Sequence, residues 1–370
     1  MHAATFFDGE GWRDGLLVQE GQRMLLLNER PAPGTPRLDG VIVGGFTDHH
    51  VHLQLVDHAL LHSSTLGRVI DLGANPTVIA GLAADAESAP LHNSGDRGGQ
   101  PPESTESGAD DGGSPELWSP GSSGRAGRAG SPGRAGDSHA VVVEFAGAFL
   151  TPVGGYPSDR DWAPAGSFRE IANAEMAHAA VTEMADAGAS CIKAASNATA
   201  GPVFDDALFR AIVSAAAARS LAVVAHAEGA GEAQRAARLG AARLAHAPFT
   251  ERLDDDAIAQ QAASVAWVST LAIHEADSEE RTVAVGNVRR FHQAGGTVLY
   301  GTDMGNGPTP VGLNPAELAV LREAGVTGTD LLRALAPQNP LDPAALLLRL
   351  PGTDADPTLA RPLTSADPKA

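Results

Sequence analysis

Apolar positions along the chain follow two rhythms. Up to residue 43, short apolar runs (Phe6-Phe7, Gly15-Leu16-Leu17-Val18, Met24-Leu25-Leu26-Leu27) are separated by turn pairs such as Asp8-Gly9 and Glu20-Gly21. Short runs punctuated by turn residues predict a small β-sheet. From Val41 the pattern becomes strand, loop and helix. Strand-like runs are Val41-Ile42-Val43, Arg68 to Gly73, Ala140 to Phe145, Ser190 to Lys193, Leu221 to Ala225, Ala241 to Ala245, Ser264 to Ser269 and Thr297 to Tyr300. Helical periodicity falls at Phe168–Ala187, Asp205–Arg219, Gly231–Leu239, Asp254–Ala263, Arg281–Ala294, Pro315–Ala324 and Thr329–Leu335. For the first of these, Ser167 with Glu170 three residues on has the spacing of a capping box. About eight strand positions alternating with helices predict an α/β fold, a (β/α)8 TIM barrel. The predicted division is a small β subdomain over 1–43, a barrel over 44–345, and a poorly ordered Pro- and Asp-rich tail over 346–370. Within the barrel, residues from about 93 to 138 are low in complexity, as in Gly124-Arg125-Ala126-Gly127-Arg128-Ala129-Gly130. A stretch so poor in apolar side chains buries too little to offset its ordering entropy, so it is expected to be a disordered insertion.

Composition narrows the class of partner. A formal net charge of −19 over 370 residues argues against a nucleic-acid or anionic-membrane partner, since both need a basic face. No apolar run reaches membrane-spanning length. One cysteine, Cys191, forms no internal disulfide, and the segment Met1–Arg13 has no basic region followed by an apolar core. Both point to a cytoplasmic protein, and the partner expected is a small-molecule substrate. A homo-oligomer is compatible with everything in the sequence.

Candidate chemistry sits at the ends of the apolar runs: Asp48-His49-His50-Val51-His52, Lys193, His226, His246 and Gly301-Thr302-Asp303. Polar ligands at the C-terminal ends of strands are where an α/β barrel builds its active site. His50 and His52, one residue apart in a strand, face the same side and can grip one ion. His49 faces the other way and reads as structural, while Asp48 can orient an imidazole. His226 and His246 are twenty residues apart with one helix between them, about one barrel step. Lys193 reads either as a snorkelling surface amine or as a neutral, desolvated amine able to take up CO2 and become a two-oxygen bridge. Asp303 reads either as a helix cap or as a ligand that also accepts a proton from a metal-bound water, whose pKa falls from about 15.7 to near 7. Imidazole and carboxylate suit Zn, and equally Mn, Fe or Co.

The order H-x-H, Lys, His, His, Asp resembles the amidohydrolase superfamily. Gly45 to Leu53, Val69 to Gly73, Leu150 to Tyr156 and Ala187 to Lys193 are similar to its first strand, second strand, third-strand loop and carbamylated-lysine strand. Within it, the chain looks most like the imidazolonepropionase-like hydrolases, which have prolidase-type members. The resemblance implies two divalent ions, Zn by preference. One would be held by His50, His52 and Asp303, the other by His226 and His246, with carboxylated Lys193 between them. It further implies a bound hydroxide attacking the C–N bond of a cyclic or linear amide, with Asp303 as general base and acid. Tyr156, at a position where members often carry His, becomes a candidate for contacting the substrate carbonyl. The C-terminus lacks the glycine-rich strands that complete the usual β-sandwich, so a reduced one is expected. Two other readings stand beside this: a lactonase or esterase on the same site, and a silent barrel that binds without turnover. A deaminase fits less well, because Glu228 lies two residues after His226 rather than three.

Overall fold

The computed structural model describes residues 1–21, 23–88 and 140–369; the low-complexity stretch lies outside the described residues. In chain order the strands are β1 (His2–Phe7), β2 (Trp12–Glu20), β3 (Arg23–Leu27), β4 (Arg37–Gly44), β5 (Phe46–Val51), β6 (Leu66–Asp71), β7 (Val142–Phe145), β8 (Phe149–Pro152), β9 (Phe168–Ile171), β10 (Cys191–Asn197), β11 (Ala222–Glu228), β12 (Arg243–Leu244), β13 (Ala266–Val268), β14 (Val298–Leu299), β15 (Leu347–Leu350) and β16 (Arg361–Pro362). The helices are α1 (Pro76–Ser88), α2 (Ala174–Asp186), α3 (Asp206–Ala218), α4 (Glu232–Arg238), α5 (Asp255–Ala262), α6 (Glu279–Gln293), α7 (Pro315–Glu323) and α8 (Gly328–Ala334).

The first sheet has the order β16-β15-β4-β1-β2-β3. Its inner face buries Ala4, Phe6, Leu17, Leu26, Ile42 and Leu347 as a separate apolar cluster. Two of its strands come from residues expected to be a poorly ordered tail, and that expectation is corrected here. Leu347, Leu348 and Leu350 run antiparallel to Val41–Gly44 of β4, and Arg349 pairs with Arg361 of β16. A short Leu-rich run has little strand signal alone; the unpaired edge of β4 supplies its partner. The small sheet therefore draws on both ends of the chain.

The remaining strands are parallel and form a seven-stranded sheet, β14-β13-β12-β11-β10-β8-β9, and a three-stranded sheet, β5-β6-β7. The three-stranded sheet is joined to the other at both of its own edges, β5 and β7. His49 N–H donates to the Tyr300 carbonyl at 3.0 Å and Ser190 N–H to the Phe145 carbonyl at 2.8 Å, and Val51 bridges Met304 in parallel. Helices α2 to α6 alternate with the strands and turn their apolar stripes inward; in α3, for example, Phe209, Ile212, Ala215 and Ala216 are buried. Caps set the helix starts: Asp205, Asp254 and Ser278 each accept from a backbone N–H three residues on, satisfying a donor the helix leaves unpaired.

One predicted helix is shortened. Residues 168–171 form β9, paired parallel to Phe149–Pro152, and α2 begins only after Asn173, whose side chain accepts from Met176 N–H. Phe168 and Ile171 fit a helical spacing, but the free edge of β8 outweighs local propensity. Ser167 is not the cap, and its buried hydroxyl has no hydrogen-bond partner.

The outer core is anchored by Trp267 of β13. Its ring is fully buried, stacks on Phe291 of α6 at 3.8 Å and 6°, and donates to Gln261 Oε1 at 2.9 Å. Trp267→Ala is expected to cost about 3–5 kcal/mol, read as a shift in the urea unfolding midpoint with unchanged slope.

Candidate active site

His50, His52, His226, His246 and Asp303 lie towards or just beyond the C-terminal ends of parallel strands, whereas Lys193 lies in the first half of β10. His50 is in β5 and His52 follows it; Lys193 and His226 lie within β10 and β11; His246 and Asp303 follow β12 and β14. Small flanking residues make this close approach feasible. A Cβ on Gly301 would sit 2.3 Å from Val268 and 3.2 Å from the His50 Cβ, and one on Gly73 would collide with the Phe149 ring. Asp303 itself has φ 55° and Thr270 φ 42°, left-handed conformations that cost a non-glycine residue roughly 1–3 kcal/mol and cluster at functional sites.

The tightest convergence is His50, His52 and Asp303, whose ligand atoms lie within 4.8 Å of one another and are all buried. Nε2 of His50 and Nε2 of His52 are each 3.1 Å from Asp303 Oδ1. His50 Nδ1 contacts the Ala245 carbonyl at 2.8 Å, and His52 Nδ1 the Gly73 carbonyl at 3.2 Å. A carbonyl only accepts, so each Nδ1 carries the proton and each Nε2 is turned towards the carboxylate. Yet Asp303 Oδ1 is buried with no hydrogen-bond partner. Two ring nitrogens and an orphaned anionic oxygen aimed at one point are what a divalent cation requires, so the donor set fits such an ion. The other carboxylate oxygen, Oδ2, accepts from Asn306 Nδ2 at 2.9 Å.

The other three candidates adjoin this cluster. The His246 ring is 4.8 Å from that of His50 and 4.9 Å from that of His226, centroid to centroid. Lys193 Nζ is 3.5 Å from His50 Nε2 and 5.8 Å from the Phe149 ring centroid. At 1% exposure, Lys193 is no snorkelling surface residue. His226 Nε2 is 3.1 Å from Glu228 Oε2, which leaves Nδ1 as its free lone pair when Nε2 is protonated. His246 Nδ1 is 2.9 Å from Thr270 Oγ1, which turns its Nε2 to the site. Above these residues is a cavity of about 140 Å³ walled by Phe149, Tyr156, Trp162, Phe249 and Ile273. The Tyr156 ring lies 5.1 Å from that of His226.

Burial pushes the Lys193 amine down to about 8, so near neutral pH an appreciable fraction is unprotonated. Burial also holds His50 and His246 well below their usual value, keeping both neutral and free to bind a cation. For Asp303, burial works upward but is outweighed by His50 and His52, and the carboxyl is held well below its usual range. At His52 burial works downward and Asp303 outweighs it, raising the imidazole.

Several supporting residues differ from expectation or escaped it. Asp48 does not reach an imidazole. It accepts from Thr302 Oγ1 at 2.6 Å, Thr302 N–H at 3.2 Å and His50 N–H at 3.0 Å, tying β5 to the turn that carries Asp303. Main-chain carbonyls orient the imidazoles instead. Asp71 braces the neighbouring turns by accepting from Leu53 N–H and Gly73 N–H at 2.7 and 2.9 Å. His49 points away from the site; it is buried, its ring nitrogens lack partners, and burial pushes it down to about 3. Sequence reasoning missed Asn197, which donates to Glu228 at 2.7 Å, as well as Asn306 and the ring wall at Trp162 and Phe249. None of these carries a spacing signal, because their roles come from neighbours distant in sequence.

Glu317 of α7 is fully buried. Its Oε2 accepts from Ala272 N–H at 2.7 Å, pinning the turn between Thr270 and Ile273. Burial pushes its carboxyl up to about 7. The folded protein thus keeps a proton that the unfolded chain releases near pH 4.5, and stability falls as pH rises from about 4.5 to about 7. Glu317→Gln keeps the acceptor and removes the titration. It is expected to be more stable than the parent at pH 8 by about 3 kcal/mol and to differ little at pH 4, as read by urea unfolding at both.

No protein-family model matches the sequence, and no curated protein matches it in sequence. Solved structures match it closely in shape. A Xaa-Pro dipeptidase with bound methionine superposes with TM-score 0.63 at 15% identity, covering 96% of this chain and 93% of the dipeptidase. A putative prolidase from Bifidobacterium longum gives TM-score 0.63 at 19% identity over 99% and 92%. An amidohydrolase gives TM-score 0.60 at 16% identity over 99% and 93%. The chain has the fold of an amidohydrolase. The likeness takes in nearly the whole length of both chains. Among the described residues no helix is long and apolar enough to cross a membrane.

Proposed function

We propose that the protein is a metal-dependent amidohydrolase that cleaves a C–N bond in a small cyclic or linear amide. The observation that carries this is the convergence of two imidazole Nε2 atoms on the orphaned Asp303 Oδ1 at the floor of a ring-walled pocket. The finer architecture we propose is a (β/α)8 barrel, supported by the hydrogen bonds that join both edges of the three-stranded sheet to the seven-stranded one.

His50, His52 and Asp303 would hold one divalent ion, Zn by preference, and His226 with His246 a second. Lys193 would bridge them as a carbamate: its neutral amine adds to CO2, an N–C bond forms and a proton leaves, giving an anion with two oxygens. Bound there, the ions would polarise the substrate carbonyl and make water a nucleophile near neutral pH. The chain's own groups do the rest. Asp303 accepts the proton released as water adds to the carbonyl carbon, and returns it to the departing nitrogen as the C–N bond breaks. Asn306, donating to Oδ2, fixes the carboxylate for that transfer. Tyr156 stands against His226, where its hydroxyl can donate to the carbonyl oxygen, and the ring wall keeps bulk water from the reacting atoms.

Metal analysis of purified protein tests the reading. About two divalent ions per chain are expected, together with hydrolysis that a chelator abolishes and Zn restores. Protein that takes up no divalent ion and hydrolyses neither amides nor lactones would refute it.

A further inference from the structure

The pocket above the ligands has an unusual balance of chemistry. Its upper wall is ring and aliphatic surface: Phe149 and Trp162 meet edge to face at 6.4 Å, and Tyr156 lies 6.0 Å from Trp162. Phe249 and Ile273 line the opposite side. Its charged wall is anionic. Glu228, which lines the pocket, is engaged by Asn197, Thr199 and His226 and is fixed in place. Among the described residues, Lys193 is the only Lys or Arg lining the cavity, and it lies buried at the floor. Arg160 stays outside the lining, its guanidinium 5.8 Å from the Tyr156 ring centroid and its Nε 3.3 Å from Asp159.

From this we infer that the site selects a neutral amide or urea carrying one aromatic ring and rejects a substrate with a free carboxylate on the part that meets the ring wall. This rests on the hydrolase reading and narrows it. A ring is welcomed by stacking and edge contacts with Phe149, Tyr156 and Trp162. A carboxylate held against the ring wall, out of reach of the two ions, would leave water to face Glu228 where, among the described residues, no Lys or Arg lines the wall, and an unpaired buried charge is strongly disfavoured.

The test uses the metal-loaded full chain and a matched pair, acetanilide and 4-acetamidobenzoate, which differ by one carboxylate. A kcat/KM at least tenfold higher for acetanilide is expected. Ile273→Arg, which sets a guanidinium on the pocket wall, is expected to narrow that ratio at least fivefold. Equal or faster turnover of 4-acetamidobenzoate by the parent protein overturns the inference and leaves the hydrolase reading intact. If no amide, ester or lactone is turned over, the hydrolase reading fails, and binding decides the selectivity on its own. Quenching of tryptophan fluorescence, lost in Trp162→Phe, should then give a Kd at least tenfold lower for acetanilide. Equal or tighter binding of the carboxylate overturns it.

Discussion

Replacing Asp303 with asparagine is expected to lower kcat/KM by about 10³-fold or more, because the change removes a ligand charge and the proton acceptor together. Asparagine is close in shape and tolerates the left-handed backbone better than most residues, so the turn at φ 55° should persist and the fold should survive. The amide can still accept one contact at Oδ1, but it cannot hold the proton taken from water. The measurement is kcat/KM on the best amide substrate, with ion content and circular dichroism alongside. Native circular dichroism with activity within tenfold of the parent would show that Asp303 is only a structural cap. The alternative reading of this residue would then stand, and the proposed mechanism would not.

The second large effect is expected at Lys193. Its amine is buried, and its nearest polar neighbour is a ring nitrogen at 3.5 Å, not a carboxylate, so in the metal-free protein it is a costly group. Lys193→Met keeps an unbranched chain of similar length and removes that cost. The metal-free variant should therefore be as stable as the parent or more stable by about 1–4 kcal/mol. Metal-loaded, it should behave in the opposite sense: ion content falls from two per chain to one, and kcat falls by roughly 10²-fold, the share of carbonyl polarisation assigned to the second ion. Thermal unfolding with and without Zn, together with ion counting, separates the two effects. A variant that still binds two ions and turns over normally would rule out the bridging role.

The parts of the fold that follow a local period were legible. Buried strands such as 221–225 and 297–300 read directly as apolar runs, and the helices from residue 205 onward were bounded within a residue or two by their caps. The legible parts of the site were the residues that close those runs, because the side-chain types and the strand ends can be read together. Illegible parts depend on long-range pairing. Phe168 and Ile171 fit a helix until β8 is placed beside them, and Leu347 to Leu350 carries no message until β4 offers its free edge. Asp48 shows the same limit within the site. A carboxylate two residues from His50 is well placed to orient an imidazole, but the Thr302 hydroxyl, 254 residues away in sequence, takes it instead.

The sequence by itself determined the alternating α/β plan, the acidic character, and the set of side chains able to hold a cation, since strand termini and residue types are local properties. Only the tertiary structure decided how those side chains act. It set which nitrogen of each imidazole faces the site, because the carbonyls that fix His50 and His52 come from Ala245 and Gly73 on other strands. It left Asp303 Oδ1 without a proton donor, buried Lys193, and assembled the ring wall from Phe149, Trp162 and Phe249. Each of these is a contact between residues far apart in the chain, and no local pattern encodes such a contact.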